Sequence, residues 1–208
     1  MNSLREVASR VAACTDCPLS KTRTNTVPGE GAANAEIMFI GEGPGFNEDR
    51  QGRPFVGAAG KFLEALLMSI GIKREEVFIA NVVKCRPPNN RDPLPLETDA
   101  CRKYLDKQIN LIEPKLIVTL GRYATSRFIP GQTISASRGR LRNVNGLNVY
   151  PIYHPAAALH NGRFRRIIED DFKQIPDLVR VKGTTPIERE SKSAKQLSMF
   201  SEDSNIDW

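Results

Sequence analysis

The feature that most restricts the fold of this 208-residue chain is the alternation of short apolar runs with amphipathic helical segments. The apolar, β-branched runs that predict strands lie at 36–40, 77–83, 115–120 and 148–153. Apolar residues at helical spacing predict helices at 58–70, 95–112 and 163–178, with a short helix ending at 128. Such alternation indicates an α/β fold, in which helices cover both faces of a parallel sheet.

Ligands of open parallel sheets bind beyond the carboxyl ends of the strands, so the residues at these ends are candidates for chemistry. The first strand runs into Gly41–Gly45, which reads G-E-G-P-G and lets the backbone approach a ligand closely. Its glycine spacing matches neither a dinucleotide-binding fingerprint nor a phosphate-binding loop. Glu42 is expected to face the crevice, and His154, which ends another apolar strand, is a candidate catalytic residue at the same edge.

The four cysteines indicate one site for a metal or cluster. Cys14 and Cys17 form a C-x-x-C pair, whereas Cys85 and Cys101 are separated by fifteen residues. Thiolates alone are compatible with zinc or with an iron–sulfur cluster. The long second spacing favours the cluster, because zinc sites usually combine two closely spaced pairs.

Charge and composition indicate a cytoplasmic, nucleoid-associated protein with a polyanionic partner. The formal net charge is +6, and basic side chains release counterions from a phosphate backbone. No apolar run is long enough for a transmembrane helix, so no membrane partner is expected. We predict a monomeric catalytic domain over 1–180 and a disordered tail over 181–208, where apolar residues become scarce.

The strand-end segments resemble, in order, those of the family 4 uracil-DNA glycosylases. The resemblance rests on G-E-G-P-G, on D-R-Q-G-R-P-F-V-G at 49–57, on Asn81 within I-A-N-V-V-K, on C-R-P-P from Cys85 and on His154-Pro. It extends from Cys14 to Leu178. It implies a three-layer sandwich around a four-stranded parallel sheet, with a [4Fe-4S] cluster held by the four cysteines. The implied activity is hydrolysis of the N-glycosidic bond of uracil in single- and double-stranded DNA, which starts base excision repair.

The resemblance also implies a role for each residue of the pocket. A base inside a duplex must be flipped into a pocket before its glycosidic bond can be reached. Phe55 would stack on uracil. The Asn81 amide would accept a hydrogen bond from uracil N3–H and donate one to uracil O4, whereas cytosine presents an acceptor and a donor in the reverse order. His154 would donate to uracil O2 as negative charge develops on the base. Glu42 and the Gly43 backbone would hold or activate the attacking water.

Recognition outside the uracil ring is predicted for further residues. Glu48 is the preferred candidate within 46–48 for excluding the thymine methyl group. Leu159 would wedge into the base stack, although packing against the last helix is an equal alternative. Phosphate contacts are predicted for basic residues near these motifs, namely Arg86, Arg91 and Arg163.

Three alternatives compete with this interpretation. A related glycosylase with another base preference is disfavoured by Glu42 and by the absence of histidine in the loop that begins at Cys85. A non-catalytic DNA-binding or scaffold module is disfavoured by the intact Glu42, Asn81 and His154. A four-cysteine zinc protein remains open. No lysine stands in the glycine or His-Pro motifs to form a Schiff base, so we predict a monofunctional enzyme without lyase activity.

The C-terminal tail contains a possible partner-binding segment. Its sequence Q-L-S-M-F resembles the short motif that docks into the bacterial replicative sliding clamp. Apolar side chains in a polar tail have no core to join, which favours a binding role, although an inert tail is an equal alternative. The predicted clamp-binding residues are Gln196, Leu197, Met199 and Phe200.

Overall fold

The computed structural model describes residues 1–180, and within them helices and strands alternate as predicted. The helices are α1 (Leu4–Ala12), α2 (Phe46–Gln51), α3 (Ala58–Ser69), α4 (Pro95–Ile112), α5 (Gly121–Phe128), α6 (Ile134–Ser137), α7 (Ala157–His160), α8 (Gly162–Lys173) and α9 (Ile175–Arg180). The strands are β1 (Glu30–Gly31), β2 (Ile37–Gly41), β3 (Phe78–Asn81), β4 (Leu116–Leu120), β5 (Arg142–Val144) and β6 (Leu147–Ile152). None of the helices in this range combines the length and apolar character needed to cross a membrane. The tail at 181–208, with its predicted clamp-binding segment, lies outside the described residues.

The sheet has the strand order β1-β3-β2-β4-β6-β5. Its four central strands pair in parallel, which confirms the predicted α/β class and its four-stranded parallel sheet. Two short antiparallel edge strands were not predicted: β1 pairs with β3, and β5 with β6. The turn between β5 and β6 is Asn145-Gly146, and both residues have positive φ, as expected for the tight turn of a hairpin.

Helices on both faces of the sheet complete three layers. Phe39 of β2 points to one face, where its ring stacks on that of Phe172 in α8 at 5.7 Å between centroids. This face is also covered by α3. Met38 and Ile40 point to the opposite face and pack among residues of α4 and α5. Because successive strand residues alternate between faces, a strand buried on both sides is apolar throughout, as β2 is.

The single helix predicted over 163–178 is divided into α8 and α9 in the structure. The first helix ends at Lys173, and Pro176 is the second residue of the next helix. Proline has no N–H for the preceding turn and its ring clashes with the carbonyl four residues earlier. It is tolerated in the first turn of a new helix, which explains the division.

Candidate functional site

A cavity of about 350 Å³ opens where parallel strands β2, β3 and β6 end. Asn81 is the last residue of β3, Glu42 follows β2, and His154 lies two residues beyond β6. The chain adds β3 on one side of β2 and then adds β4 on the other side. Ligand crevices of open α/β sheets usually lie where the order of strands reverses in this way, which here falls between β2 and β4. The cavity is lined by Glu42, Gly43, Pro44, Gly45, Glu48, Phe55, Ala59, Asn81, Pro87, Asn90, Arg91, His154 and Ala156.

Asn81 presents an unpaired amide oxygen on the cavity wall. Its side chain is buried, and Oδ1 has no hydrogen-bond partner within the protein. Gly41 pairs with Asn81 in the parallel register, and a Cβ atom at Gly41 would lie 2.5 Å from this oxygen and 2.7 Å from the Phe55 ring. Glycine is therefore required at position 41, because any side chain there would collide with both the Asn81 amide and the Phe55 ring. An unsatisfied buried acceptor is costly, so a ligand that donates a hydrogen bond to it is favoured.

The Phe55 ring forms one wall of the cavity and is held in an unusual backbone conformation. Its φ is +49°, a left-handed value that is rare for a bulky residue. Arg74 stabilises this conformation by donating to the carbonyls of Phe55 at 3.2 Å and Pro54 at 2.5 Å. The ring lies 5.6 Å from the His154 ring at an interplanar angle of 28°. A flat ligand in this cavity can therefore contact an aromatic face.

Glu48 fixes the loop that carries Phe55. Its Oε1 accepts hydrogen bonds from the backbone N–H groups of Val56 at 2.9 Å and Gly57 at 2.8 Å. A carboxylate that accepts two amide N–H groups makes charge-assisted hydrogen bonds, which are stronger than neutral ones. Glu48 thus lines the cavity and also orders its wall.

His154 is neutral at physiological pH and can donate through Nε2. Burial lowers the pKa of His154 to about 4, and the nearby Glu48 carboxylate only partly offsets this shift. The backbone N–H of Ala156 donates to Nδ1 at 3.2 Å. Because Nδ1 acts as an acceptor, the proton of the neutral ring must lie on Nε2. The side chain therefore offers one N–H donor.

Glu42 has the properties of a group that can hold or take a proton. Burial raises the pKa of Glu42 to about 6, and the charge of Asp92 adds to this increase. Arg122 acts in the opposite direction, but it is engaged in an ion pair with Asp92. A carboxylate tuned toward neutral pH at the mouth of a crevice is typical of a catalytic site.

The four cysteines converge at a second, smaller cavity between the N-terminal segment and α4. Cys85 and Cys101 are buried, while Cys14 and Cys17 are partly exposed. Arg23 donates to Cys85 Sγ at 3.1 Å, and the Lys84 backbone N–H donates to Cys101 Sγ at 3.2 Å. Within residues 1–180, no three His, Cys, Asp or Glu side chains lie close enough to hold a single metal ion. All four cysteines line this one cavity.

Comparison with known proteins identifies the family. The model of the uracil DNA glycosylase superfamily matches residues 28–174. The type-4 uracil-DNA glycosylase of Sulfurisphaera tokodaii is 51% identical over 86% of this chain and 86% of its own. The enzymes of that name from Saccharolobus solfataricus and Archaeoglobus fulgidus are 48% and 47% identical, each over 89% of this chain and over 90% and 98% of their own lengths. The chain belongs to the type-4 uracil-DNA glycosylase family.

Most of the residues predicted for this family's pocket do meet in one cavity. Those brought together are Glu42, Gly43, Glu48, Phe55, Arg91, Asn81 and His154. Arg91 is not free, because it makes two hydrogen bonds to the buried Glu97 carboxylate. Arg86, Leu159 and Arg163 lie outside the cavity lining. Leu159 is 44% exposed on α7, and Arg163 is exposed at the start of α8, so both are accessible from solvent.

Several supporting residues of this type-4 site were missed by the sequence analysis. They are Arg23 beside Cys85, Arg74 behind Phe55, and Asn90 on the cavity wall. Arg23 and Cys85 are 62 positions apart, so no local spacing could reveal the contact. Asn90 belongs to a loop with two consecutive positive φ values, which asparagine tolerates better than most residues. The consecutive asparagines at positions 89 and 90 are the sequence feature that could have indicated this loop conformation.

Proposed function

We propose that this chain is a monofunctional uracil-DNA glycosylase that hydrolyses the N-glycosidic bond of uracil in single- and double-stranded DNA. The observation that carries the proposal is the unpaired Asn81 Oδ1 in a cavity shared with Phe55, His154 and Glu42. In family members such a reaction would begin base excision repair, so we place the enzyme on chromosomal DNA in the cytoplasm. The relatives named above carry this activity in their names.

Base selection follows from the orientation of the Asn81 amide. Its Oδ1 accepts from uracil N3–H, and its Nδ2 donates to O4, while Phe55 stacks on the ring. Cytosine carries an acceptor at N3 and a donor at C4, so the same amide would face two mismatched groups. Glu48 is the candidate for exclusion of the thymine methyl group, since it lines the cavity and is held by two backbone N–H groups.

Bond cleavage is assigned to His154 and Glu42. As the bond between N1 and C1′ breaks, negative charge spreads onto uracil O2, and the neutral His154 donates to it from Nε2. The bonding electron pair leaves with uracil as its anion. Glu42 and the Gly43 backbone hold a water molecule whose hydroxyl bonds to C1′ and whose proton passes to the Glu42 carboxylate. No lysine is among the cavity-lining residues that the structure describes, which supports hydrolysis without a Schiff base.

Entry of the base requires that the target nucleotide leave the stack. Leu159 is the candidate wedge, because an exposed apolar side chain lies on α7, just after His154. Arg163, Arg86 and Arg91 are the candidates for phosphate contacts. Of these, Arg91 is most constrained by its ion pair with Glu97, so it would position the strand with little freedom.

The cysteine site fits a [4Fe-4S] cluster better than a zinc ion. Zinc sites usually combine two closely spaced cysteine pairs, whereas Cys85 and Cys101 are separated by fifteen residues. All four cysteines line one cavity, and N–H donors of Arg23 and Lys84 face sulfur, as hydrogen-bond donors do in iron–sulfur sites. Cys14, Cys17, Cys85 and Cys101 would hold it. The cluster would supply a cross-link between α4 and the N-terminal segment.

The tail adds a separate proposal about a partner. Gln196, Leu197, Met199 and Phe200 would dock into the replicative sliding clamp and keep the enzyme near newly made DNA. Calorimetric titration of the cognate clamp with the 190–208 peptide tests this. Saturable binding supports the tether, and no heat at high micromolar peptide contradicts it.

The activity is tested with single-stranded oligonucleotides that carry one uracil, thymine or cytosine at the same position. Purified, cluster-loaded protein is incubated with each, and the product is treated with alkali to cut at abasic sites. We expect cleavage at uracil only, with free uracil released. Absence of cleavage by protein that still binds the oligonucleotide would overturn the proposed function.

A further inference from the structure

An exposed aromatic ring lies beside the mouth of the catalytic cavity and takes no part in the mechanism above. Phe46 follows the cavity-lining Gly45 and begins α2, and 51% of its surface is exposed. It was among the residues considered for thymine exclusion, yet it does not line the cavity. The Phe46 ring therefore presents an apolar surface to solvent beside the cavity mouth.

Two guanidinium groups accompany the Phe46 ring. The central carbon of Arg86 lies 5.2 Å from the ring centroid, and that of Arg50 lies 5.6 Å from it. Attraction between each cation and the ring face keeps the three side chains together. The result is a small platform, Phe46–Arg50–Arg86, that combines an aromatic surface with two positive charges.

The platform is connected to the cavity wall. Arg86 Nε donates to Asn90 Oδ1 at 2.7 Å, and Asn90 lines the cavity. Gly45 and Glu48, on either side of Phe46 in sequence, line it as well. A strand that places one base in the cavity must therefore pass its neighbouring nucleotides close to the platform.

We propose that Phe46, Arg50 and Arg86 form a DNA-strand platform on which the base next to the extruded uracil stacks. This inference rests on the proposed function. Proteins that bind single strands combine aromatic rings, on which successive bases stack, with arginines that contact phosphates and stack on bases themselves. Stacking depends on no particular base edge, so the platform would bind any neighbouring base.

The test uses a single-stranded oligonucleotide with a stable tetrahydrofuran abasic site and 2-aminopurine beside it, because this probe binds without reacting. In the full-length, cluster-loaded protein, Phe46→Ala should weaken binding by about 5- to 150-fold. It should also abolish the 2-aminopurine fluorescence change that accompanies stacking. Phe46→Tyr and Phe46→Trp should retain both signals. Met68→Ala, which removes a 72% exposed apolar side chain near the far end of α3, is the matched control and should change neither.

The charges of the platform are tested through salt dependence. Arg50→Gln and Arg86→Gln should each reduce the slope of log affinity against log salt by about 0.7, the value for one phosphate contact on a single strand. Unchanged affinity of Phe46→Ala, or equal loss in the Ala and Tyr variants, would overturn the platform. Uracil release by wild-type protein is measured beside these titrations. Its failure would overturn the proposed function, whereas release without a Phe46 effect on binding overturns only the platform.

Discussion

At the scale of one residue, Asn81 is the side chain that we propose to recognise the base. Its buried Oδ1 lacks a partner within the protein, and the absence of a side chain at Gly41 leaves the space that this oxygen occupies. Leaving such an acceptor unpaired once a base fills the cavity would cost about 1–3 kcal/mol. A donor on the substrate would recover this free energy on binding, which favours uracil, with its N3–H, over cytosine.

Replacement of Asn81 by alanine should lower kcat/KM for uracil release by about 10- to 100-fold, because N3–H and O4 lose their partners. Oligonucleotide cleavage after alkaline treatment measures this. Asn110→Ala, which removes an exposed amide from α4, serves as the control and should retain full activity. An Asn81→Ala enzyme as active as wild type would show that the amide does not read the base.

Glu42 should give the enzyme an acid limb in its pH dependence. If the carboxylate holds the water, kcat/KM should rise with pH through about 6, because burial raises the pKa of Glu42 to that value. His154 should add no limb above pH 5, since burial lowers the pKa of His154 to about 4 and the ring stays neutral. Rates on single-stranded substrate from pH 4.5 to 9 measure the profile. The Glu42→Gln variant should release uracil slowly, and its kcat/KM should not change with pH near 6. If the variant still shows the rise in kcat/KM through pH 6, that rise belongs to another titrating group.

The same pKa shift has an opposite consequence for stability. The folded pKa of Glu42, about 6, lies above its ordinary value, so the native state holds the proton more tightly than the unfolded chain does. The stability linked to this group is present below the ordinary pKa and is lost as pH rises through 6. Glu42→Gln should therefore unfold at a higher temperature than wild type at pH 8, and the difference should shrink toward pH 4.5. Calorimetry at the two pH values checks this.

At the scale of elements, the loop after α2 depends on one carboxylate. Glu48 holds the N–H groups of Val56 and Gly57, next to the strained Phe55. Glu48→Ala should lower kcat/KM by at least 10-fold and destabilise the fold by about 1–3 kcal/mol, because two backbone donors lose their acceptor. Glu48→Gln keeps an acceptor oxygen and should recover most of both losses. Equal defects in the two variants would show that the charge, and not the loop, is what matters.

The elements that could be predicted from sequence are those whose pattern is local. The apolar run of β2 and the helical spacing of α3 indicated their types directly, and the order of strand-end motifs indicated the cavity. The Asn145-Gly146 turn was also a local signal, and it was overlooked. Contacts such as Arg23 with Cys85 or Arg74 with Phe55 depend on how distant segments meet, and no periodicity encodes them.

At the scale of the whole molecule, the cysteine site joins segments that are far apart in the chain. α1 and the turn carrying Cys17 pack on α4 through a small apolar cluster that includes Val7, Val11 and Tyr104. Such a cluster buries little surface compared with the main sheet, so its stability should depend on the metal centre. The proposed iron–sulfur cluster would therefore be structural, since the four cysteines line a cavity separate from that of the proposed catalytic residues.

Loss of one ligand should loosen this region. Cys85→Ser should abolish the brown visible absorbance and lower the unfolding temperature by about 5–10 °C, because a cross-link of several kcal/mol is lost. Hydrogen exchange should accelerate in 4–22 and 84–101 and remain unchanged in β4 and β6. Ser20→Ala, which alters a side chain lining the same cavity, should keep the colour. A colourless wild-type protein that contains zinc would contradict the cluster.

The strand-end cavity is proposed to perform catalysis and not merely to bind DNA. This role is tested most directly by single-turnover uracil release in wild type, His154→Ala and Glu42→Gln, with affinity for the tetrahydrofuran oligonucleotide measured on the same preparations. We predict that release falls by at least about 100-fold in both variants, since each removes a group acting on the transition state, while affinity changes by less than about 5-fold. Release that is unaffected, or that falls only in proportion to affinity, would contradict the account and favour a scaffold that binds uracil-containing DNA.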